Sequence, residues 1–475
     1  MILVEKIIKY GLYLLVFLLP WQTRWIIKAG QLAGGYSEYS TISLYATDIL
    51  IIGLLVLFIV YQLKVKRLFN FNDNFSIYCW LAIFELIIFL SIFWATDKTV
   101  AVFSYLRILL ALGLFWLVAS FNYDRVKFVW SFLLGAALQA ALAIWQFLCQ
   151  SSFSNKWLGL ANHPPGELGS SVIEIADQGV GERWLRAYGG LDHPNILGAL
   201  MVMAIILACW WYFTSIKTTG SLNKEIDSQE LKQLQFGLQK KARFRNLALK
   251  ERWMMIIFWP LIIIFFTALF FSFSRAAWLT LLAAISSLLA VIVVSKNLLL
   301  QKRILEIILI LGVVFFILSN QFFNLFTTRL TGQERLEIKS RLERIELYKN
   351  FYQLIKDNYL KGVGIGNYTI YSQGKLITNQ ASYYYQSVHN SFLLIWSEIG
   401  IFGLLSFLIL IFLIIKKVYH QIKLNLKKEK INQQIKLILL AAILLLMLFD
   451  HWWWSLHFGL ISFWLITGFI NKNLS

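Results

Sequence analysis

The sequence predicts an all-α polytopic membrane protein, and three observations carry that prediction. The 475-residue chain is 59% hydrophobic and only 15% charged, with a mean hydropathy of +0.65, far from the composition of a soluble globular domain. Apolar runs of the length that crosses a bilayer as a helix, about 20 residues, recur from one end to the other. The 44 lysines and arginines outnumber the 25 acidic residues, but they fall mostly in short connections between apolar runs. That distribution is a topology signal, so no nucleic-acid partner is expected.

Taken in order, the apolar runs are 6–21, 44–63, 76–95, 100–121, 127–149, 195–215, 254–273, 276–295, 304–324, 390–415, 436–449 and 456–470. They predict about 12 transmembrane helices. The first and the last two are short for a span, so tilted or re-entrant segments and counts of eleven or thirteen stay open. The first run lacks a small-residue cleavage site and reads as an uncleaved span. Cys79, Cys149 and Cys209 lie in or beside apolar runs with no metal-ligand or disulfide spacing, and read as packing residues.

Orientation follows from the basic connections: Lys64, Lys66 and Arg67; Arg125 and Lys127; segment 216–252; Lys296, Lys302 and Arg303; and the lysines from Lys416 to Lys436. With twelve spans these share one side, which the positive-inside rule makes cytoplasmic, with both termini. Segment 216–252 reads as a basic cytoplasmic linker. On the extracytoplasmic side of a single membrane domain, 1–475, lie loops 22–43, 150–194 and 325–389, the last before the tenth span. Long loops in a compact membrane protein carry function, so the site is sought there, above all in 325–389.

Arg275 is the only charged residue between Arg252 and Lys296, which places it at a tight external hairpin between two spans. A charge at the lipid boundary needs a partner; a guanidinium suits forked contact with phosphate, or it snorkels to the interface. Loop 325–389 opens with Arg329, Arg335, Arg341 and Arg344. Leu342, Ile345, Tyr348, Tyr352 and Ile355 follow helical spacing, predicting a helix whose apolar stripe lies on the membrane surface. Its arginines would meet either a lipid-linked phosphate or ordinary anionic lipid. The alternating glycines Gly362, Gly364 and Gly366 lack the βαβ context of a nucleotide loop and read as a tight turn against the membrane domain.

His389 and Asn390 stand at the N-terminus of the tenth span, where the helix dipole favours a neutral imidazole. Such a ring accepts a proton from a sugar hydroxyl, unless it is simply structural. Arg186, His193 and Asn195 close loop 150–194 and either cap the next helix or line the same cavity. The spacing of His163, His193 and His389 matches no usual ligand pattern, so no metal is expected. Glu85 and Arg107 fall inside neighbouring spans and read as an ion pair, with Arg107 as a reserve phosphate contact. The run His451-Trp452-Trp453-Trp454 reads as an aromatic interface belt.

Three blocks together resemble the O-antigen ligase and Wzy-type polymerase superfamily, over about residues 180 to 410. They are Gly190-Leu191-Asp192-His193-Pro194-Asn195-Ile196-Leu197-Gly198, Ser272-Phe273-Ser274-Arg275-Ala276-Ala277-Trp278, and the block from Gly362 to Gly403 with His389-Asn390-Ser391-Phe392-Leu393 and Glu398-Ile399-Gly400-Ile401-Phe402-Gly403. The resemblance implies a bacterial cytoplasmic-membrane enzyme that moves an undecaprenyl-pyrophosphate-linked glycan to a hydroxyl acceptor without metal or other cofactor. The acceptor, a lipid A core, the growing glycan or a protein, stays open. His389 corresponds to the family's loop histidine and Arg275 to its hairpin arginine; Arg341, or else Arg344, corresponds to its loop arginine. The alternative from another class is a lipid-linked glycan flippase or other transporter. It is disfavoured because no repeat relates the two halves and the charges cluster outside.

Overall fold

A chain in hydrocarbon must satisfy its backbone polar groups internally, so each apolar run closes on itself as a helix. The computed structural model describes residues 2–65, 75–167, 169–177, 180–230, 237–376, 380–424 and 427–472. In chain order the elements are α1 (Ile2–Leu18), β1 (Arg24–Lys28), β2 (Gln31–Leu32), β3 (Gly35–Tyr36), β4 (Ile42–Tyr45), α2 (Ala46–Val65), α3 (Phe75–Ser91), α4 (Lys98–Ser120) and α5 (Arg125–Cys149). Then come β5 (Val172–Asp177), β6 (Val180–Leu185), α6 (Pro194–Glu230), α7 (Gly237–Phe271), α8 (Arg275–Val294), α9 (Leu298–Gln321) and α10 (Phe323–Thr331). The last are α11 (Arg335–Asn358), α12 (Tyr368–Lys375), α13 (Ser391–Leu424), α14 (Lys427–Met447), α15 (Trp452–Ser455) and α16 (His457–Asn471). Among the described residues ten helices are long and apolar enough to cross a membrane. The polytopic all-α class holds, and α1 and α16 are the short members of the predicted set. Segment 216–252 includes residues 231–236, and the first basic cluster includes Lys66 and Arg67, all outside the described residues.

The core sits around α6, which is apolar on every face and buried throughout residues 196–213, as expected of a helix surrounded by others. At one end of the bundle the long loops meet. They fold into small antiparallel pairs, β1 with β4, β2 with β3 and β5 with β6, which helical periodicity did not reveal. Thr23 Oγ1 donates to Trp157 O at 2.8 Å, and Arg335 Nη2 donates to Glu174 Oε1 at 2.7 Å, so the three loops brace one another.

The glycine turn braces α13 from the same end. Gly400 interrupts α13 with φ +73°, which breaks the helical ladder and frees nearby backbone groups. The turn takes them up: Val363 N donates to Ser397 O at 2.9 Å, Gly364 N to Glu398 O at 2.8 Å, and Ile401 N to Tyr359 O at 2.9 Å. Gly362, Gly364 and Gly366 all have positive φ, and a Cβ on Gly400 would strike the Leu360 carbonyl. Only glycine meets both demands.

Several expectations are corrected. Trp452, Trp453 and Trp454 are at most 6% exposed, so they pack inside rather than form a belt, and Trp454 Nε1 donates to Glu398 Oε2 at 2.8 Å. The helix α11 forms as expected, with Leu347, Phe351 and Leu354 buried against the protein and Leu342, Ile345 and Tyr352 of the apolar stripe exposed. Glu85 accepts from Tyr105 Oη at 2.8 Å, and no Glu85–Arg107 ion pair occurs among the described residues. Cys149 is exposed rather than packed.

Candidate functional site

The α7–α8 hairpin turns in three residues, Ser272, Phe273 and Ser274. Phe273 is fully buried and adopts φ +46°, a left-handed conformation that costs a non-glycine residue about 1–2 kcal/mol. Its ring is held between Phe147, Phe270 and Trp278. Ser274 Oγ caps α8 by accepting from Ala277 N, and Arg275 therefore projects from the first turn of α8, where the positive end of the helix dipole adds to its own charge.

The partner that a charge at this position requires is Glu337, on the first turn of α11. Arg275 Nη2 lies 3.1 Å from Glu337 Oε2, and Arg275 Nη1 donates to Arg329 O at 3.3 Å. The other Glu337 oxygen pairs with Arg329 Nη1, whose Nε donates to Phe273 O at 2.9 Å. One buried carboxylate thus fixes two guanidiniums on the hairpin. The Arg275 side chain stays 46% exposed, so it keeps donor capacity for another partner.

Arg275, Arg329 and Arg344 line a pocket of about 820 Å³ together with Asn195, Ser274, Phe449 and Asp450. Leu279 belongs to this lining and also to that of a larger, almost wholly apolar groove of about 1120 Å³ walled by Phe270, Trp278, Phe315 and Phe326. A cationic chamber therefore adjoins an apolar slot. Arg341 is exposed on α11 and does not line the chamber.

Beyond Asp450 lies a histidine cluster. His389, Asp450 and His451 bring their nitrogen and carboxylate oxygen atoms within 4.8 Å of one another, and the two imidazole rings are 5.2 Å apart. Among the described residues this is the grouping with metal-ligand chemistry. Both nitrogens of His451 are already engaged, however, Nδ1 with Ser455 Oγ at 2.7 Å and Nε2 with Tyr39 Oη at 3.3 Å, whereas a ligating imidazole needs one nitrogen free. The Asp450 carboxylate is held instead by Asn195 Nδ2 and the backbone N–H of His451.

His389 Nδ1 faces the Ser387 carbonyl at 3.3 Å; a carbonyl only accepts, so Nδ1 carries the proton and Nε2 is an acceptor with no partner among the described residues. Burial lowers the His389 pKa, and the Arg344 guanidinium lowers it further against the opposing pull of Asp450. Burial, rather than the helix dipole alone, keeps this ring neutral. Burial likewise pushes His451 down to about 4. For Asp450 burial acts upward, but the surrounding histidines and Asn195 outweigh it and hold the carboxyl below its usual range.

The remaining sequence candidates form the support. Arg186 is 4% exposed and donates to Ser272 O at 2.9 Å, Ser171 Oγ at 2.8 Å and Asn195 Oδ1 at 3.0 Å. Asn195 Nδ2 then donates to Asp450 Oδ2 at 3.1 Å, so Arg186 reaches the cluster through one amide. His193, pushed down to about 3 by burial and by Arg186, uses Nδ1 to accept from Asn195 N at 3.1 Å. Asn390 Oδ1 accepts from Phe392 N and Leu393 N, capping α13. Arg107 lies apart from the chamber, lining a separate cavity with Arg24, Glu38, Tyr39 and Glu398.

Asp450 and Glu337 were missed from sequence, and Arg329 was read only as one of the loop arginines. The signal for Asp450 was a lone acid between two apolar runs, the same signal that singled out Arg275. The comparison with curated proteins returned no match. Residues 260–408, which run from the last part of α7 to the first half of α13, match the family model described as O-antigen ligase. That segment, under a third of the chain, is similar to the O-antigen ligase family that the sequence blocks resemble.

Proposed function

We propose that the protein transfers a glycan from a polyprenyl-pyrophosphate carrier, undecaprenyl in bacteria, to a hydroxyl acceptor at the extracytoplasmic face of the cytoplasmic membrane. The observation that carries this reading is that a chamber holding three arginines adjoins an apolar groove, with Leu279 in the lining of both. A pyrophosphate fits the first and a polyprenyl tail the second, and few other ligands present both chemistries end to end. Arg275, Arg329 and Arg344 would bind the pyrophosphate, with forked guanidinium contacts that strengthen as charge develops on the leaving group.

His389 Nε2 would take the proton of the acceptor hydroxyl as its oxygen attacks the anomeric carbon. The carbon–oxygen bond to the pyrophosphate breaks, and its electron pair leaves with the polyprenyl pyrophosphate. A single displacement of this kind inverts the anomeric centre. Asp450 would steady the imidazolium that forms. General base catalysis contributes about 10²–10⁴-fold to such a step. No metal is needed in this scheme, because the guanidiniums supply the positive charge.

The test is transfer by the purified protein in liposomes, from a polyprenyl-pyrophosphate-linked glycan to lipid A core, free glycan and Ser/Thr peptide acceptors. Transfer to one of them that persists in excess EDTA is expected. A protein that neither transfers to any acceptor nor binds the carrier would overturn the reading.

A further inference from the structure

The same helix that supplies Arg344 to the chamber lines a second cavity. Glu343, Glu346, Leu347 and Asn350 of α11 face Gln380, Tyr383, Tyr384 and Gln386 of the segment leading to His389, around about 780 Å³. We propose that this cavity is a glycan subsite that holds a neutral, hydroxyl-rich pyranose beside the reacting centre. The proposal rests on the glycan-transfer reading and names where the sugar chain is gripped.

The lining has the chemistry that sugars require. Two carboxylates accept from vicinal hydroxyls, three amides both donate and accept, and two phenol rings offer an apolar face to the C–H side of a pyranose. Asn350 is 8% exposed, and its Nδ2 has no hydrogen-bond partner among the described residues. A buried amide donor left unused is rare and marks a missing partner. Tyr383 and Tyr384 are 62% and 39% exposed, with ring centroids 4.7 Å apart, so a platform stands open at the cavity. Among the described residues Glu343 pairs with Lys339 at 3.7 Å and no ion pair to Glu346 occurs, so its negative charge disfavours a uronate.

Position ties the cavity to the chemistry. Gln386 precedes His389 by three residues, and Glu343 adjoins Arg344 on α11. Both Glu343 and Arg344 act electrostatically on the His389 imidazole. The sugar comes either from the donor glycan or from a glycan acceptor, and both present the same hydroxyls.

The experiment measures binding of neutral hexose and N-acetylhexosamine oligosaccharides, and of uronate-bearing counterparts of equal length, to the purified full chain by saturation-transfer NMR and calorimetry. Glu346→Gln and Tyr384→Ala, both at exposed positions, are compared with wild type. Neutral oligosaccharides are expected to bind, uronate-bearing ones at least tenfold more weakly, and each variant to lose fivefold or more for neutral sugars. Binding of bare polyprenyl pyrophosphate should be unchanged in both variants. In the transfer assay, a fivefold rise of KM for the donor alone assigns the sugar to the donor, and a rise for the acceptor alone assigns it to the acceptor. Variants with wild-type oligosaccharide affinity, or uronate-bearing sugars that bind as well as neutral ones, would overturn the proposal. A wild type that fails to bind bare polyprenyl pyrophosphate would instead count against the donor reading and leave the oligosaccharide result to stand alone.

Discussion

Arg186 and Arg275 both meet the α7–α8 hairpin, yet their surroundings differ. Every guanidinium nitrogen of Arg186 is bonded to the protein, and the residue is 4% exposed. Arg275 shares one carboxylate with Arg329 and leaves 46% of its side chain open to the chamber. An arginine whose three nitrogens are all engaged inside the protein and closed to solvent is a strut, whereas one half open to solvent can reach a further partner. In the proposed function the loop 150–194 supplies struts, and the hairpin and the loop 325–389 would supply the ligand contacts.

The largest effect expected from this contrast is on rate. Arg275→Ala should lower transfer by about 10²-fold or more, with the melting temperature in detergent within a few degrees of wild type. Arg186→Ala should do the reverse: it leaves the Ser272 carbonyl and Asn195 amide without their charged partner and destabilises by about 3 kcal/mol, read from denaturation, while the folded fraction keeps more than a tenth of its activity. Exchanged phenotypes would break the comparison.

A second contrast lies within α11. Arg344 lines the chamber and Arg341 does not, so Arg344→Ala should raise the donor KM about tenfold, equivalent to about 1.4 kcal/mol, and Arg341→Ala should leave it within twofold. Equal effects would mean that the chamber is not where the carrier binds.

The smallest effect is on pH dependence. His389 must be neutral to act as a base, and burial lowers its pKa from 6.5, so the acid limb of kcat should lie below pH 6.5 with a plateau above. Asp450 opposes that shift, and Asp450→Asn should move the limb to lower pH. The folded state also binds fewer protons than the unfolded chain at His389, His193 and His451, so stability should be full above pH 6.5 and fall as pH drops below it.

Much of this was legible in the sequence because bilayer physics is severe. Apolar run length fixed the helices, and a lone charge amid lipid singled out Arg275 before its partners were known. The glycine turn was legible too, since alternating glycines without a βαβ context mean backbone, not nucleotide. What stayed hidden depends on long-range packing. Glu337 lies two residues into a charged helix where nothing local distinguishes it from Glu343 or Glu346. Asp450 stood in a tryptophan run that reads as an interface belt until α15 and α16 are seen to fold inward.

The most direct test of the central claim, that His389 accepts the acceptor proton while arginines hold the carrier, is the His389→Ala variant measured for both transfer and carrier affinity. The expected result is a kcat lowered by about 10²-fold or more, with the Kd for bare polyprenyl pyrophosphate within threefold of wild type. Transfer within tenfold of wild type, or carrier binding lost together with transfer, would contradict it.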